Sequence, residues 1–499
     1  MTLSYFAVFG QYMLRVTILR AWVCRLQLAV LMSVGLVPSA LAATDEERIQ
    51  QLEAQLEQQR QLLDAMAAEL ESLKRGTQAN DDPLQDAVVA AEESTYVAAQ
   101  PAPQPTLESS SSEQSNGLTL QLYGFAMADA IYDFKRVDPN WNDTLRVSTI
   151  PTDAGQYGQD GEFVFSVRQS RLGVKGNYGD HVTYMLEAEL FGVGGDEGQT
   201  TPRLRHAWAT YKQFGMGQTW SNFMDADIFP NTIDYWGPTG MVFYRNQQAR
   251  FTVPLGSDEF SIALEDPSTA LTVGRFRDVN VCEIGSSAYD CESTGSTAAE
   301  LYQAHNELPD LSLRYRNNGE FGHYQVAAMF RELGYERLDN GRQESEFGWG
   351  VNLSTGLRVW DRDMLKLQLV YGEGIGNYMN DGGIDIAPDS ADPATARAEA
   401  VPLLGISAYY DHYWNDKWST SIGWSMNDLD SSAGQAGSEF TQGQIAQINL
   451  LHYPRDNVMM GTEFIWGERK DVSGATGEDY RIQFSLKVGF DTGDFLRGK

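Results

Sequence analysis

The segment Tyr480-Arg481-Ile482-Gln483-Phe484-Ser485-Leu486-Lys487-Val488-Gly489-Phe490 alternates between two kinds of residue. Its even-numbered residues are large and apolar, and its odd-numbered residues are polar, charged or glycine. Because successive side chains of a β-strand point to opposite faces, this alternation predicts a strand with one apolar face. The same pattern begins at Leu118 and recurs along the chain, which indicates an all-β protein.

The breaks between these strands alternate between tight turns and long loops. Short turns are predicted at Tyr178–His181, Gln213–Gly215, Gly256–Glu259, Asn317–Glu320, Trp360–Asp363, Asn415–Lys417 and Pro454–Asn457. Long loops are predicted at Lys135–Gly161, Gly192–Pro202, Ser221–Gly240, Asp266–Leu308, Glu332–Glu344, Glu373–Pro402, Asp428–Glu439 and Gly467–Asp479. This rhythm is typical of outer-membrane barrels and predicts a 16-stranded antiparallel transmembrane β-barrel over residues 118–490.

Composition excludes several classes of protein. The chain has 499 residues, with 37 Lys+Arg against 68 Asp+Glu, so it lacks the basic footprint of a nucleic-acid-binding protein. Its mean hydropathy of −0.37 argues against a helical membrane protein. None of the six histidines forms an i, i+4 metal-binding pair, and no catalytic constellation stands out. We therefore expect no enzyme activity, no cofactor and no metal site.

The N-terminus resembles a secretory signal peptide, residues 1–42. Arg15, Arg20 and Arg25 form a positive region, and Leu26–Val37 is apolar. Ala40-Leu41-Ala42 is a small-x-small cleavage site. The alternative is a membrane anchor, and either Met1 or Met13 could be the start.

Residues 43–75 predict an α-helical coiled coil. Eight seam positions recur at alternating spacings of three and four: Ile49, Leu52, Leu56, Gln59, Leu63, Met66, Leu70 and Leu73. Such a helix indicates an oligomer, and the alternative is a lone amphipathic helix packed on the barrel. Residues 76–117 are rich in Pro and Ser and predict a flexible linker.

Two cysteines, Cys282 and Cys291, remain after removal of the signal peptide and lie in a Gly/Ser-rich stretch. An even pair in an exported protein suggests a disulfide within a loop. The alternative is two separate thiols.

The residues that suggest a function are arginines on predicted strands. An arginine at mid-membrane on the lipid face is costly, so we expect these side chains to line the lumen. They are Arg168, Arg171, Arg203, Arg205, Arg245, Arg250 and Arg314. Apolar residues change parity within the second strand, which predicts a β-bulge near Gln169–Arg171. Alternatively, the arginines only brace the barrel by pairing with Glu187 and Glu189.

The loop Ser221–Gly240 carries three acidic residues, Asp225, Asp227 and Asp234. If it folds into the lumen, it would narrow the pore and place acids opposite arginines. A pore wall of this kind creates a transverse field, and an inward ring of arginines selects anions.

Several stretches resemble the DcaP-like trimeric outer-membrane porins, a family associated with dicarboxylate uptake. They are Tyr123–Phe125 with Asp129–Asp133, Arg168–Gly173, Arg203–Ala207, Gly217–Asp225 and Gly237-Pro238. The resemblance implies a trimer, a sixteen-stranded pore, a periplasmic trimeric coiled coil and basic residues that receive carboxylates. One departure is the C-terminal tail 491–499, which follows the expected terminal aromatic residue, Phe490.

Our hypothesis is a homotrimeric porin of the Gram-negative outer membrane, with its coiled coil in the periplasm. It would pass small anionic solutes, above all di- and tricarboxylates, and contact outer-membrane lipid and lipopolysaccharide. Two alternatives are a phosphate-selective porin and a secreted trimeric β adhesin with a coiled-coil stalk.

Overall fold

A computed structural model of the chain describes residues 117–279, 297–338, 341–392 and 395–492. The predicted signal peptide, coiled coil, most of the linker, the cysteine pair and most of the tail lie outside these residues. Within these ranges, no helix is both long enough and apolar enough to cross a membrane.

The chain folds mainly into strands. They are β1 (Gln121–Asp133), β2 (Glu162–Ser166), β3 (Arg171–Tyr178), β4 (Val182–Phe191), β5 (Thr200–Tyr211), β6 (Phe214–Trp220), β7 (Arg245–Leu255), β8 (Asp258–Glu265), β9 (Tyr302–Ala304), β10 (Asp310–Gly319), β11 (Gly322–Arg337), β12 (Arg342–Trp360), β13 (Asp363–Glu373), β14 (Ile386–Pro388), β15 (Ala398–Ala400), β16 (Pro402–Asn415), β17 (Trp418–Leu429), β18 (Phe440–Arg455), β19 (Val458–Asp471) and β20 (Thr476–Asp491). Among the described residues a short helix, α1, spans Ala298–Leu301. Single 3₁₀ turns lie at Pro139–Trp141, Val147–Thr149, Gly194–Asp196, Ala226–Ile228, Gly274–Phe276 and Gly376–Tyr378.

The strands close into one antiparallel barrel. β1 pairs with β20 from Tyr123↔Asp491 to Asp133↔Arg481, which joins the ends of the sheet. On its other edge β1 pairs with both β2 and β3, which act as a single wall strand. Because β9, β14 and β15 lie in the connections, the wall has sixteen strands, as predicted.

The outer surface is apolar and the inner surface polar, as the alternation predicts. On β20, the outward Phe484 exposes 48% of its surface, whereas the neighbouring Gln483 and Ser485 are completely buried. Apolar side chains on the outside of a barrel suit contact with lipid, because no water is present there to satisfy polar groups.

The predicted parity change in the second strand is confirmed. β2 ends at Ser166 and β3 begins at Arg171, so the segment between them interrupts the wall strand. Phe165 and Leu172 both point outward, at 71% and 54% exposure, although their parities differ. The interruption lets Arg168 and Arg171 both face the interior.

Each of the seven predicted short turns overlaps a two- or three-residue connection of the structure, but two long loops are shorter than expected. β11 continues to Arg337 and β12 starts at Arg342, and likewise β19 ends at Asp471 and β20 starts at Thr476. The ends of β12, β19 and β20 are polar here, and on β11 the apolar residues Leu333 and Tyr335 face inward while Glu332 and Glu336 occupy outward positions, so no apolar outer face marks these ends. Their backbone groups nevertheless complete the hydrogen-bond ladder.

The hydrophobic core lies inside the barrel, because several long connections fold into the lumen. Residues 221–244 pack Phe223, Met224 and Met241 against inward wall residues such as Met329 and Val370. The connection between β1 and β2 similarly buries a small apolar group, Leu145, Val147 and Ile150, against Ile445 and Ile465.

Candidate functional site

The segment 221–244, called the lumen loop below, is fastened to the inner wall by hydrogen bonds to its backbone. Its carbonyl groups accept from wall side chains: Phe223 O from Asn352 at 2.8 Å, Phe229 O from Lys366 at 2.7 Å, and Asn231 O from Asn449 at 2.7 Å. Its backbone N–H at Ile233 donates to Glu463 at 2.8 Å. These partners span β12 to β19, so the loop follows a large part of the wall.

Two glutamates of β4, Glu187 and Glu189, are the centre of a buried arginine cluster. Both carboxylates are buried because alternate residues of β4 point inward. Arg205 bridges them, with Nε 2.7 Å from Glu187 and Nη1 2.6 Å from Glu189. Arg203 donates from Nε to Glu189 at 3.0 Å. Short ionic hydrogen bonds of this kind are the strong ones in proteins.

Two further arginines lie near the same carboxylates, but beyond hydrogen-bond distance. Arg171 lies 3.6 Å from both Glu187 and Glu189, and Arg245 lies 3.6 Å from Glu189. Arg171 Nε and Arg245 Nη1 are buried and have no hydrogen-bond acceptor among the described residues. Four guanidinium groups therefore meet two carboxylates, which leaves two positive charges and unused donors.

Tyrosine hydroxyls from the loop and from β1 complete this cluster. Tyr235 of the lumen loop donates to Glu189 at 2.5 Å, and its ring stacks on Phe191 with centroids 3.8 Å apart. Tyr123 donates to Glu187 at 2.9 Å. Burial raises the pKa of the Tyr235 hydroxyl, and the neighbouring Glu189 raises it further. Tyr235 is therefore a neutral donor at physiological pH.

A cavity of about 110 Å³ lies beside the arginine cluster. Arg171, Arg205 and Lys487 supply its positive charge, and the lumen loop covers it with residues 229–235. Phe125 lies beneath both cations at the edge, 5.2 Å from the Arg171 guanidinium and 5.4 Å from the Lys487 ammonium. The cavity thus brings three cations together, two of them over the Phe125 ring and Arg205 over the Trp220 ring, where a small anion could bind.

Arg168 lies away from this cavity. Its Nη1 lies 2.7 Å from Asp143 in the first long loop, and its Nη2 donates to the Gly192 carbonyl at 2.8 Å. Its guanidinium also stacks over the Phe191 ring at 3.9 Å. This geometry ties two loops to the wall, and it favours the bracing alternative for this arginine.

A second basic group lies near the short-turn end, around a cavity of about 380 Å³. Arg314 pairs with Glu259 at 2.5 Å, and Arg250 donates to the Trp220 carbonyl at 2.5 Å. Arg316 pairs with Asp225 at 3.2 Å and with Asp227. Since each acid here offsets an arginine, the excess of positive charge is smaller than in the Glu187/Glu189 cluster.

The three loop aspartates have different surroundings. Asp225 is buried, accepts from Ser354 at 2.6 Å and lies 2.8 Å from His323 Nε2. Burial alone would raise the pKa of Asp225, but the hydrogen bond from His323 and the charge of Arg316 hold it well below its ordinary value. Asp227 is partly exposed beside Arg316.

Asp234 does not pair with an arginine, contrary to the expected acid–arginine arrangement. It accepts from the Thr144 hydroxyl at 2.8 Å and from the Leu145 backbone at 3.0 Å. Burial raises its pKa despite these hydrogen bonds. Asp234 therefore connects the lumen loop to the first long loop.

Sequence reasoning missed several residues of the cluster. Tyr123 and Tyr235 were not identified because hydroxyl donors have no distinctive spacing. Lys487 could have been found, because the alternation of β20 places it on the inner face. The sequence predicted Glu187 and Glu189 only as ion-pair partners that brace the barrel, although all four arginines of the cluster are arranged around them.

Two comparisons show which known proteins this chain resembles in sequence pattern and in architecture. A family model described as DcaP outer membrane protein matches residues 101–270. The crystal structure of the outer membrane channel DcaP of Acinetobacter baumannii aligns with a TM-score of 0.61 and 21% identity, covering 76% of this chain and 99% of that chain. These findings confirm the resemblance to the DcaP-like porins.

More distant structures include the OmpF porin of Salmonella typhi in complex with daunomycin. It aligns with a TM-score of 0.44 and 10% identity, covering 75% of this chain and 98% of that chain. A loop-deletion mutant of OmpT from Vibrio cholerae aligns with a TM-score of 0.44 and 9% identity, covering 75% and 99% of the two chains. Among curated proteins, none matches this chain. The match to the DcaP channel shows that the chain has the fold of an outer-membrane porin.

Proposed function

We propose that this protein is a channel for the passive diffusion of small anionic solutes, di- and tricarboxylates above all, through an arginine-lined constriction. It would act as a homotrimer in the outer membrane of a Gram-negative cell, in contact with lipid and lipopolysaccharide. Its short turns and N-terminal coiled coil would face the periplasm, since long loops of such barrels are extracellular. The resemblance to DcaP supports the solute class.

The excess charge of the Glu187/Glu189 cluster is the observation that carries this proposal. Two carboxylates cannot neutralise Arg171, Arg203, Arg205 and Arg245. The remaining positive charge and the unused donors of Arg171 and Arg245 suit the carboxylate of a passing solute. Guanidinium groups favour carboxylates because their paired N–H groups match the two oxygens.

Passage also requires that a solute can leave again. A carboxylate would exchange between Arg171 and its neighbours while Arg203 and Arg205 stay bound to Glu187 and Glu189. Because Glu187 and Glu189 offset part of the positive charge, the cluster would attract an anion without binding it too tightly. Conduction through a selective pore requires such moderate binding. A dicarboxylate could contact Lys487 with its second group, because Lys487 lines the same cavity.

The two alternatives fit less well. A secreted adhesin would need a water-compatible exterior, whereas outward residues such as Phe165 and Phe484 are apolar and exposed. Phosphate would also bind guanidinium groups. However, the described lumen offers few lysines, and Lys366 is engaged by Asp411 at 2.8 Å.

Planar-bilayer recording tests the proposal. Under a salt gradient the reversal potential should indicate anion selectivity, and small dicarboxylates should block chloride current more strongly than phosphate does. Arg171→Ala and Arg245→Ala should each weaken this block about tenfold, because each removes a charged hydrogen-bond donor contributing roughly 1.5–3 kcal/mol. Arg171→Lys should restore the selectivity but only part of the block, since a lysine lacks the planar fork.

Arg362→Ala is the matched control, because Arg362 lies at the rim of a short turn, where it pairs with Asp416 at 2.9 Å. Each variant should first show heat-modifiable migration, which reports a folded barrel. Unchanged selectivity and block in both cluster variants would refute the site assignment. Stronger block by phosphate than by dicarboxylates would favour the phosphate-selective alternative.

A further inference from the structure

The cavity of about 380 Å³ near the short-turn end, called the short-turn cavity below, differs in charge from the Glu187/Glu189 cluster. Four basic side chains line it, among them Arg250, Arg314 and Arg316, against three acidic ones, among them Asp227 and Glu259. Asp225, which lies 3.2 Å from Arg316, adds a fourth acid. The formal charges of the short-turn cavity therefore balance, whereas four arginines meet only two glutamates in the cluster.

The acids of the short-turn cavity are more open to solvent than its arginines. The side chains of Asp227 and Glu259 are 39% and 26% exposed, whereas the side chain of Arg314, which pairs with Glu259 at 2.5 Å, is 5% exposed. In the cluster the glutamates are completely buried and their arginines surround them. A solute in the short-turn cavity thus meets accessible carboxylates as well as guanidinium groups.

Two buried polar atoms of the short-turn cavity have no hydrogen-bond partner among the described residues: Arg314 Nε and Gln325 Oε1. Both residues line the cavity, and they are only 4% and 1% exposed. The Gln325 amide is held in place because its Nε2 donates to the Met224 carbonyl at 3.1 Å, which leaves the oxygen as its unused end. Because an unpaired buried polar atom costs free energy, both atoms favour a ligand with complementary groups.

The register of the sheet places this donor and this acceptor side by side. Gln325 of β11 lies directly opposite Arg316 of β10. Arg314 is the preceding inward residue of β10, so it is the diagonal neighbour of Gln325. Diagonal neighbours lie roughly 7–8 Å apart, and two long side chains at that separation can contact the same small molecule. The arrangement suits a solute that carries a hydrogen-bond acceptor close to a donor.

We infer that the short-turn cavity binds small zwitterions, solutes that carry both a carboxylate and an ammonium group, as α-amino acids do. The carboxylate would accept from Arg314 Nε. The ammonium would donate to Gln325 Oε1 and face the accessible carboxylates of Asp227 and Glu259. A simple anion would be repelled by these acids, and a simple cation by the arginines. The inference rests on the proposed channel function and extends it to solutes without net charge.

Block of chloride current in planar bilayers tests this site in the full-length protein. Alanine added on the short-turn side should block about tenfold more strongly than propionate or ethylammonium, since each of these lacks one charged hydrogen-bonding group. N,N,N-trimethylalanine keeps both charges but has no ammonium N–H, so it should block about tenfold less strongly than alanine. Block by alanine should change little with voltage, because alanine carries no net charge, whereas block by a dicarboxylate should depend on voltage.

Two variants remove the two poles of the site. Arg314→Gln and Asp227→Asn should each weaken the block by alanine about tenfold, because each removes one charged partner. Asp227→Asn should also strengthen the block by propionate, since it removes a repelling charge. Arg362→Ala and Asp416→Asn are the matched controls, because these two residues form an ion pair of 2.9 Å between neighbouring short turns. Asp227 is partly exposed and asparagine has nearly the same shape, so this variant tests the site even if Arg314→Gln does not fold.

The outcomes separate this inference from the proposed function. Equal block by alanine and propionate, or an unchanged alanine block in Asp227→Asn, would overturn the inference. A channel that is anion-selective and blocked by dicarboxylates but not by alanine would overturn the inference and leave the proposed function intact. A channel that alanine blocks but that shows no anion selectivity would support the zwitterion site and refute the proposed selectivity.

Discussion

The hydroxyl of Tyr235 donates a hydrogen bond of 2.5 Å to the Glu189 carboxylate, so the lumen loop is bound directly to the arginine cluster. The ring stacks on Phe191, which means that the contact has separate polar and apolar parts. The loop position and the charge arrangement of the cluster are therefore physically coupled. A variant that moves the lumen loop should therefore alter ion selectivity, and a variant that changes the charge of the cluster should alter the stability of the loop.

Tyr235→Phe keeps the ring stacking and removes the hydroxyl. We expect the loop to loosen, because a hydrogen bond to a charged acceptor contributes about 1.5–3 kcal/mol, while Arg203 and Arg205 still donate to Glu189. Single-channel records should show more frequent closures with little change in the fully open conductance. Tyr371→Phe, on the outward face of β13, is the control and should behave as wild type. Indistinguishable gating in the two variants would show that the hydroxyl does not hold the loop.

Glu189→Gln removes one of the two charges that offset four arginines. Anion selectivity should increase, since the net positive charge of the cluster rises by one. Stability should fall, because breaking a buried ion pair from one side costs about 3–5 kcal/mol. The reversal potential and the temperature at which heat-modifiable migration is lost measure these two effects. A lower anion selectivity would contradict the assignment of the cluster as the selective element.

Asp225→Asn should weaken the attachment of the loop to β11 and β12. Asp225 has a pKa below its ordinary value of 3.8 in the folded protein, so its stabilising effect is present above that value and lost as the pH falls towards the folded pKa. The difference in thermal stability between wild type and variant should therefore be constant from pH 8 to about pH 5. It should shrink in more acidic solution. A difference that grows with acidity would contradict this sign.

Gly240→Ala should displace the lumen loop from the wall. An added Cβ at Gly240 would lie 1.8 Å from the Met426 carbonyl oxygen and 2.8 Å from that of Ile406, and backbone atoms cannot yield as a flexible side chain can. We expect an altered single-channel conductance in a barrel that still folds. Gly195→Ala is the control, because nothing lies within 4 Å of an added Cβ there. Unchanged conductance in Gly240→Ala would show that the loop does not restrict the pore.

Much of the wall could be predicted because a membrane barrel imposes its periodicity on the sequence. Outward positions such as Phe484 must be apolar, whereas inward positions such as Gln483 can be polar. The resulting alternation therefore shows where each strand lies and which of its faces points outward. The same reasoning placed an interruption near Gln169–Arg171, and the structure has it between Ser166 and Arg171. It failed at the loop ends of β11 and β19, where outward positions such as Glu332 and Glu468 are polar and the apolar outer face that marks a strand is missing.

The interior could be predicted only in part. Parity placed Arg171, Arg203 and Arg205 on the inner face, but it could not distinguish them from Arg168, which faces inward and yet braces two loops. The partners of an inward side chain lie on distant segments, such as Tyr235 beside Glu189. Local sequence does not encode that proximity.

By itself the sequence determined a closed antiparallel barrel with an apolar exterior, a basic interior and alternating short and long connections, because these follow from the period of two along each strand. Only the tertiary structure decided which arginines are neutralised and which are not. The neutralisation of each arginine depends on the path of the lumen loop. It also depends on whether the guanidinium group lies within hydrogen-bond distance of Glu187 or Glu189, as that of Arg205 does, or about 1 Å farther away, as that of Arg171 does. The tertiary structure likewise decided that the small residues of β1 lie beside the large residues of β20, since that register exists only once the barrel has closed.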